Sequence, residues 1–273
     1  MTAVGPRDGV FTTPDGTSIA FSQWPAPRPG APRVALVHSL ALDRHVWDGV
    51  VARLRSAAEI LALDCRGHGA SSRHAGAFTA ELLAHDVAAL LDHVGWDRAT
   101  VAGCSMGGCV ALAFASLFPR RAERLCLIDT TAWYGDGAPG RFAERAHEAR
   151  VKGMAALADF QLTRWFSDGY RAGRPAEMAR ALATFVANDV ECYASTCALL
   201  GAVDLRAHLP GMRMPVAVIV GEEDYATPVA MARALHDAVA GSTLTILSPG
   251  RHLTPIECPD RVAIELLTLL ERS

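Results

Sequence analysis

Apolar residues follow two alternating patterns along this chain. Short unbroken apolar runs, bounded by glycine, proline or charge, read as strands buried on both faces. They are Arg33-Val34-Ala35-Leu36-Val37-His38, Glu59-Ile60-Leu61-Ala62-Leu63-Asp64, residues 99–103, Arg124-Leu125-Cys126-Leu127-Ile128-Asp129, Pro215-Val216-Ala217-Val218-Ile219-Val220 and Thr243-Leu244-Thr245-Ile246-Leu247. Between them, apolar positions recur at helical spacing over 46–54, 79–94, 106–118, 228–239 and 261–271. Thr79 is the expected N-cap of the second helix, with Glu81 and Asp86 near its start, and Pro119 stops the third. Val10-Phe11-Thr12-Thr13 and Ser18-Ile19-Ala20-Phe21 flank the turn residues Pro14-Asp15-Gly16, so a β-hairpin opens the chain. Residues 25–32 form a proline-rich surface loop.

Unbroken apolar strands alternating with helices predict an α/β protein with a mostly parallel eight-stranded sheet flanked by helices. The alternation breaks from about Trp133 to Gly211, where the pattern is helical throughout. That block is read as a helical cap, residues 134–211, inserted after strand six into a core formed by 1–133 and 212–273. Ligands of such sheets lie beyond the carboxyl ends of the strands, so a cap placed there roofs the site.

Composition narrows the classes. With 51% hydrophobic and 20% charged residues, the chain has enough apolar surface for a large core, which argues against disorder. The net charge of −3 and the lack of a basic block argue against nucleic acid as a partner. No apolar stretch is long enough to span a bilayer, and residues 1–16 lack the charged and apolar regions of a signal peptide. Seven cysteines, at 65, 104, 109, 126, 192, 197 and 258, show no C-x-x-C or metal-ligand spacing, which suits a reducing compartment. The expected location is the cytoplasm, and no metal is expected.

One stretch carries the chemistry. Gly103-Cys104-Ser105-Met106-Gly107 fits G-x-S-x-G at a strand-to-helix junction, the context that pattern requires. A serine on so tight a turn holds a strained backbone, and only small residues two positions away leave room for it. Its hydroxyl becomes a nucleophile once a base takes the proton and an anion orients the base. His252, in Gly250-Arg251-His252, follows the last strand; Asp224, in Gly221-Glu222-Glu223-Asp224, follows the strand at 215–220. Glu222 and Glu223 are rival carboxylates, and Asp129, which also ends a strand, is a stronger one; the order Ser, Asp, His and the place after 215–220 favour Asp224. Donors for an oxyanion are expected from the backbone N–H groups of Met106 and Leu40, with His38 and Ser39 bracing the Leu40 loop. Asp64-Cys65-Arg66-Gly67-His68-Gly69-Ala70-Ser71 is read as structural, with Arg66 and His68 tying loops together.

Ser105, Asp224, His252, the 64–71 loop and the cap position together resemble the α/β-hydrolase superfamily over essentially the whole chain. Within it, several segments are similar to 3-oxoadipate enol-lactonases: Ser39-Leu40 with Asp43 and Trp47, Gly67-His68-Gly69-Ala70-Ser71, Ser105-Met106-Gly107-Gly108, Arg164-Trp165-Phe166, Cys192-Tyr193-Ala194 and Asp204-Leu205-Arg206. The resemblance implies cofactor-free opening of an enol-lactone from aromatic catabolism. It places His38, Ser39, Trp133, Arg164 and Trp165 around the substrate. Two positions depart from the pattern. His38 stands where an asparagine is common, and Trp133 follows Thr131-Ala132 where a basic residue is common, leaving Arg164 to meet a substrate carboxylate. The same residues also suit a carbon–carbon bond hydrolase of a ring-cleavage product, a general carboxylesterase, or a non-catalytic receptor on this fold. The partner expected is a small lactone or ester, and a homo-oligomer is compatible with all of these.

Overall fold

The computed structural model describes residues 5–272. Eight strands form one sheet: β1 (Arg7–Thr12), β2 (Ser18–Trp24), β3 (Arg33–Val37), β4 (Glu59–Leu63), β5 (Ala99–Cys104), β6 (Ala122–Ile128), β7 (Val216–Gly221) and β8 (Thr243–Leu247). Their spatial order is β1-β2-β4-β3-β5-β6-β7-β8. The β1–β2 hairpin and the β2–β4 pair are antiparallel, and every other pair is parallel. The six parallel strands, β3 to β8, therefore end on one edge, where the loops carrying Leu40, Ser105, Asp129, Asp224 and His252 converge.

Six helices cover the sheet: α1 (Asp48–Leu54), α2 (Ala80–His93), α3 (Met106–Leu117), α9 (Val229–Ala238), α10 (Thr254–Glu257) and α11 (Pro259–Leu270). The Thr79 hydroxyl caps α2 by accepting the Leu82 N–H. The helix expected over 46–54 is split: a 3₁₀ turn spans Arg44–Trp47 before α1. The Asp43 carboxylate, accepting the His45 N–H, starts that turn early. Small residues let α3 press onto the sheet. A Cβ added at Gly107 would lie 2.2 Å from the Val37 carbonyl oxygen.

The other five helices lie between β6 and β7: α4 (Ala138–Lys152), α5 (Ala158–Trp165), α6 (Asp168–Gly173), α7 (Pro175–Val186) and α8 (Val190–Ala202). They form the cap. Its entry and exit are sewn together where Trp133 pairs with Asp204 and the Leu205 N–H donates to the Ala132 carbonyl at 2.9 Å. No helix among the described residues is long and apolar enough to cross a membrane.

Candidate active site

Ser105 sits between β5 and α3 at φ +54° and ψ −115°, outside the ordinary regions for an L-residue. Such a conformation costs about 1–3 kcal/mol and persists only when its surroundings hold it. They do. The Ser105 N–H donates to the Ile128 carbonyl at 2.9 Å, and the Thr130 hydroxyl donates to the Ser105 carbonyl at 2.6 Å. A Cβ on Gly103 would come within 2.0 Å of the Gly107 oxygen, so both glycines are steric requirements of the turn.

The Ser105 hydroxyl lies 2.9 Å from His252 Nε2, and His252 Nδ1 lies 2.8 Å from Asp224 Oδ2. Since the carboxylate can only accept, the imidazole proton belongs on Nδ1, and Nε2 is left to accept from serine. Asp224 is further held by the N–H groups of Ala226 (2.7 Å) and Thr227 (2.9 Å) and by the Thr227 hydroxyl (2.8 Å). Burial works to raise its pKa, but the adjacent His252 imidazole and these donors outweigh it and hold the carboxyl below its usual range. Asp129 is bound differently. One oxygen accepts the Gly221 N–H at 3.0 Å and the other accepts the Thr254 N–H and hydroxyl at 2.9 and 2.7 Å. It makes no contact with the imidazole. It pins the loops after β7 and β8, and burial together with the charge of Asp224 pushes its pKa up.

Ser39 and Leu40 line the chamber that holds Ser105 and His252. Met106 is the first residue of α3, so its N–H has no acceptor within the helix and points towards the helix's positive end. The chamber is small, about 20 Å³, enough for one water. Tyr134, Phe142, Arg145 and Arg164 line both this chamber and a wider outer vestibule of about 840 Å³ under the cap.

Residues 32–259 match the family described as the alpha/beta hydrolase fold. The chain belongs to the α/β-hydrolase family. This hydrolase is 33% identical over 231 residues to 3-oxoadipate enol-lactonase 2 of Acinetobacter baylyi, covering 84% of the present chain and 85% of that protein. It superposes on the crystal structure of the enol-lactonase from Burkholderia xenovorans LB400 with a TM-score of 0.91 at 35% identity, covering 97% and 100% of the two chains. A malate-bound thermophilic esterase from Thermogutta terrifontis gives a TM-score of 0.88 at 26% identity, covering 98% and 100%.

Two residues expected around the substrate lie elsewhere in the hydrolase. His38 is buried beneath the loop after β3, outside the chamber lining. Its Nε2 accepts the Cys65 N–H at 2.9 Å, so Nδ1 carries the proton and donates to the Ser39 carbonyl at 2.7 Å. Burial lowers its pKa, and the neutral ring is the form these bonds need. Trp133 lies outside the chamber because its backbone is fixed to Asp204 at the base of the cap. The Arg206 guanidinium covers its ring at 3.7 Å. The next residue, Tyr134, faces the chamber instead. Arg164 and Trp165 line the chamber, from the last turn of α5.

Around the 64–71 loop, Arg66 forms a fork with Asp86 at 2.6 and 2.7 Å and reaches Asp15 at 3.0 Å. His68 Nδ1 donates to the Arg66 carbonyl at 3.0 Å, and the His68 pKa is pushed down to about 3 by burial and by the neighbouring His38. This loop is a brace. Arg145, Tyr134 and Thr227 are site residues that the sequence pattern does not single out. Thr227, three positions after Asp224, carries a recognisable turn signal. Arg145 lies on a charged helix where nothing distinguishes it. It donates to the Tyr193 hydroxyl at 2.6 Å, and burial and Arg145 together lower the pKa of Arg164. Among the described residues, neither arginine has a carboxylate partner. The Ser39 and Tyr134 hydroxyls are buried and have no hydrogen-bond partner among the described residues.

Proposed function

We propose that this protein is a serine hydrolase of lactones and small carboxylic esters, acting on 3-oxoadipate enol-lactone or a related enol-lactone. The observation that carries the reading is the chain of two hydrogen bonds, 2.9 and 2.8 Å, linking Ser105 through His252 to Asp224 under a cap. His252 takes the Ser105 proton as the hydroxyl oxygen attacks the carbonyl carbon. The N–H groups of Leu40 and Met106 hold the oxyanion. The tetrahedral intermediate collapses, the ring C–O bond breaks, and His252 returns the proton to the leaving enol oxygen, which stays tethered to the acyl chain. Water, deprotonated by the same imidazole, then releases the acid and restores the serine.

The two arginines without carboxylate partners favour an anionic substrate over a neutral one, and the enol-lactone carries a carboxylate. Arg164→Met should lower kcat/KM for the enol-lactone about 10- to 100-fold, the range set by losing a charged hydrogen bond. A neutral ester should be far less affected. The main test is Ser105→Ala, assayed side by side on 3-oxoadipate enol-lactone, p-nitrophenyl acetate and a vinylogous diketone from ring cleavage. Loss of about 10⁴- to 10⁶-fold in kcat is expected. Undiminished hydrolysis would overturn the proposal, and turnover of the diketone alone would move the chemistry to carbon–carbon bond cleavage.

A further inference from the structure

Arg251 directly precedes His252, and its side chain is only 14% exposed. Its Nη1 donates to the carbonyls of Thr163 (2.8 Å) and Phe166 (3.0 Å) and meets Asp168 at 3.3 Å. Its Nη2 meets Glu223, the neighbour of Asp224, at 2.9 Å. The two carbonyls belong to the end of α5, where a helix leaves its acceptors unfilled and a positive charge is favoured. The backbone repeats the connection. The N–H groups of His252 and Leu253 both donate to the Trp165 carbonyl at 3.1 Å. The Arg251 N–H donates to Glu257 at 3.0 Å, and Glu257 also accepts from the N–H and hydroxyl of Ser167. Segment 163–168 of the cap is thus fastened to the loop that carries the imidazole.

We propose that Arg251 is a positioning residue that locks the α5 end of the cap onto the loops carrying Asp224 and His252. The roof of the chamber and its base are set as one unit. The proposal rests on the hydrolase reading above. Only a planar guanidinium can bond carbonyls on one side and a carboxylate on the other; the compact ammonium of lysine cannot fork across the gap. Arg164 and Trp165, which line the chamber, are carried on the segment that Arg251 holds.

The test compares wild type with Arg251→Met, Arg251→Lys and Glu223→Gln. Amide hydrogen exchange is followed in 163–168, with kcat and KM for p-nitrophenyl acetate and the rate of Ser105 modification by diethyl p-nitrophenyl phosphate. In Arg251→Met, exchange in 163–168 should speed up about tenfold while β5 and β6 keep their protection, because the released segment opens locally. Its kcat and its modification rate should fall together by about tenfold, with KM for the small acetate held within about twofold, the signature of lost placement of reacting groups. Lysine should restore little, and Glu223→Gln should fall between. Wild-type exchange and kcat in Arg251→Met would overturn the proposal. So would a lower melting temperature with kcat per titrated site unchanged. If Arg251→Met fails to fold, the Lys and Gln variants decide by the same readouts. Wild-type protein left unmodified at Ser105 would instead overturn the hydrolase reading, and exchange in 163–168 would still decide whether Arg251 holds the cap.

Discussion

Asp224 and Asp129 lie on adjacent loops of the sheet's carboxyl edge, and the donors around each differ. Asp224 has one oxygen on the imidazole and the Thr227 hydroxyl, with two N–H groups on the other. Its folded pKa lies below the ordinary value. It therefore contributes stability that is fully present above its unfolded pKa of about 3.9 and is lost as pH falls through the lower folded value. Asp224→Asn should remove that component from the melting temperature measured against pH between 2 and 5, and should cost about 10⁴-fold in kcat through the wrong imidazole tautomer. Asp129→Asn should behave otherwise. The amide NH₂ would face either the Gly221 N–H or the two Thr254 donors, a mismatch of buried donors worth about 2–3 kcal/mol. Urea unfolding should show that loss. An unchanged midpoint would mean that Asp129 is not the pin its three bonds describe. Both aspartates are legible in the sequence as strand-end carboxylates. The place of Asp224 after the strand at 215–220 pointed to it as the partner of the imidazole, and the tertiary approach of the loop after β8 makes that contact.

At the scale of elements, the strands were readable because burial on both faces leaves unbroken apolar runs, and the turn before α3 because its two glycines have no substitutes. The Thr79 cap was readable for a local reason, a hydroxyl in reach of its own helix's N–H. The inner arrangement of the cap was not. Amphipathic helices declare which face is apolar but not which partner covers it, so the pairing of α4 with α8 and the inward aim of Arg145 had no signature in the chain. Trp133 shows the same limit at one residue. Its place after strand six suggested a chamber wall, whereas the backbone pairing with Asp204 turns it to the base of the cap. Trp133→Ala should therefore lower the melting temperature, through the lost stack on Arg206, while kcat/KM for p-nitrophenyl acetate stays within about twofold, since no contact with the reacting groups is removed. A loss above about tenfold, more than 1.4 kcal/mol, would put the indole back in the chamber.

For the whole molecule, the question is how a substrate reaches a serine covered by 20 Å³ of free space. Bulky substrates need more room than so narrow a chamber offers. The place to enlarge it is the partition shared with the 840 Å³ vestibule, formed by Tyr134, Phe142, Arg145 and Arg164. Phe142 is the bulkiest apolar member, set edge-on to Tyr134 at 5.3 Å between centroids. Truncating it joins the two spaces without touching Ser105, His252 or Asp224. Phe142→Ala should raise kcat/KM for p-nitrophenyl octanoate relative to p-nitrophenyl acetate by about tenfold, as expected when a pocket gains room worth 1–3 kcal/mol of discrimination. The same change should cost up to about 3–5 kcal/mol of folding stability, because the ring is buried in the cap. An unaltered preference between the two esters, in protein shown to be folded, would mean that substrate enters by movement of the cap as a whole. In that case Arg251, at the end of α5, would govern entry instead of Phe142, and the long ester should respond to Arg251→Met.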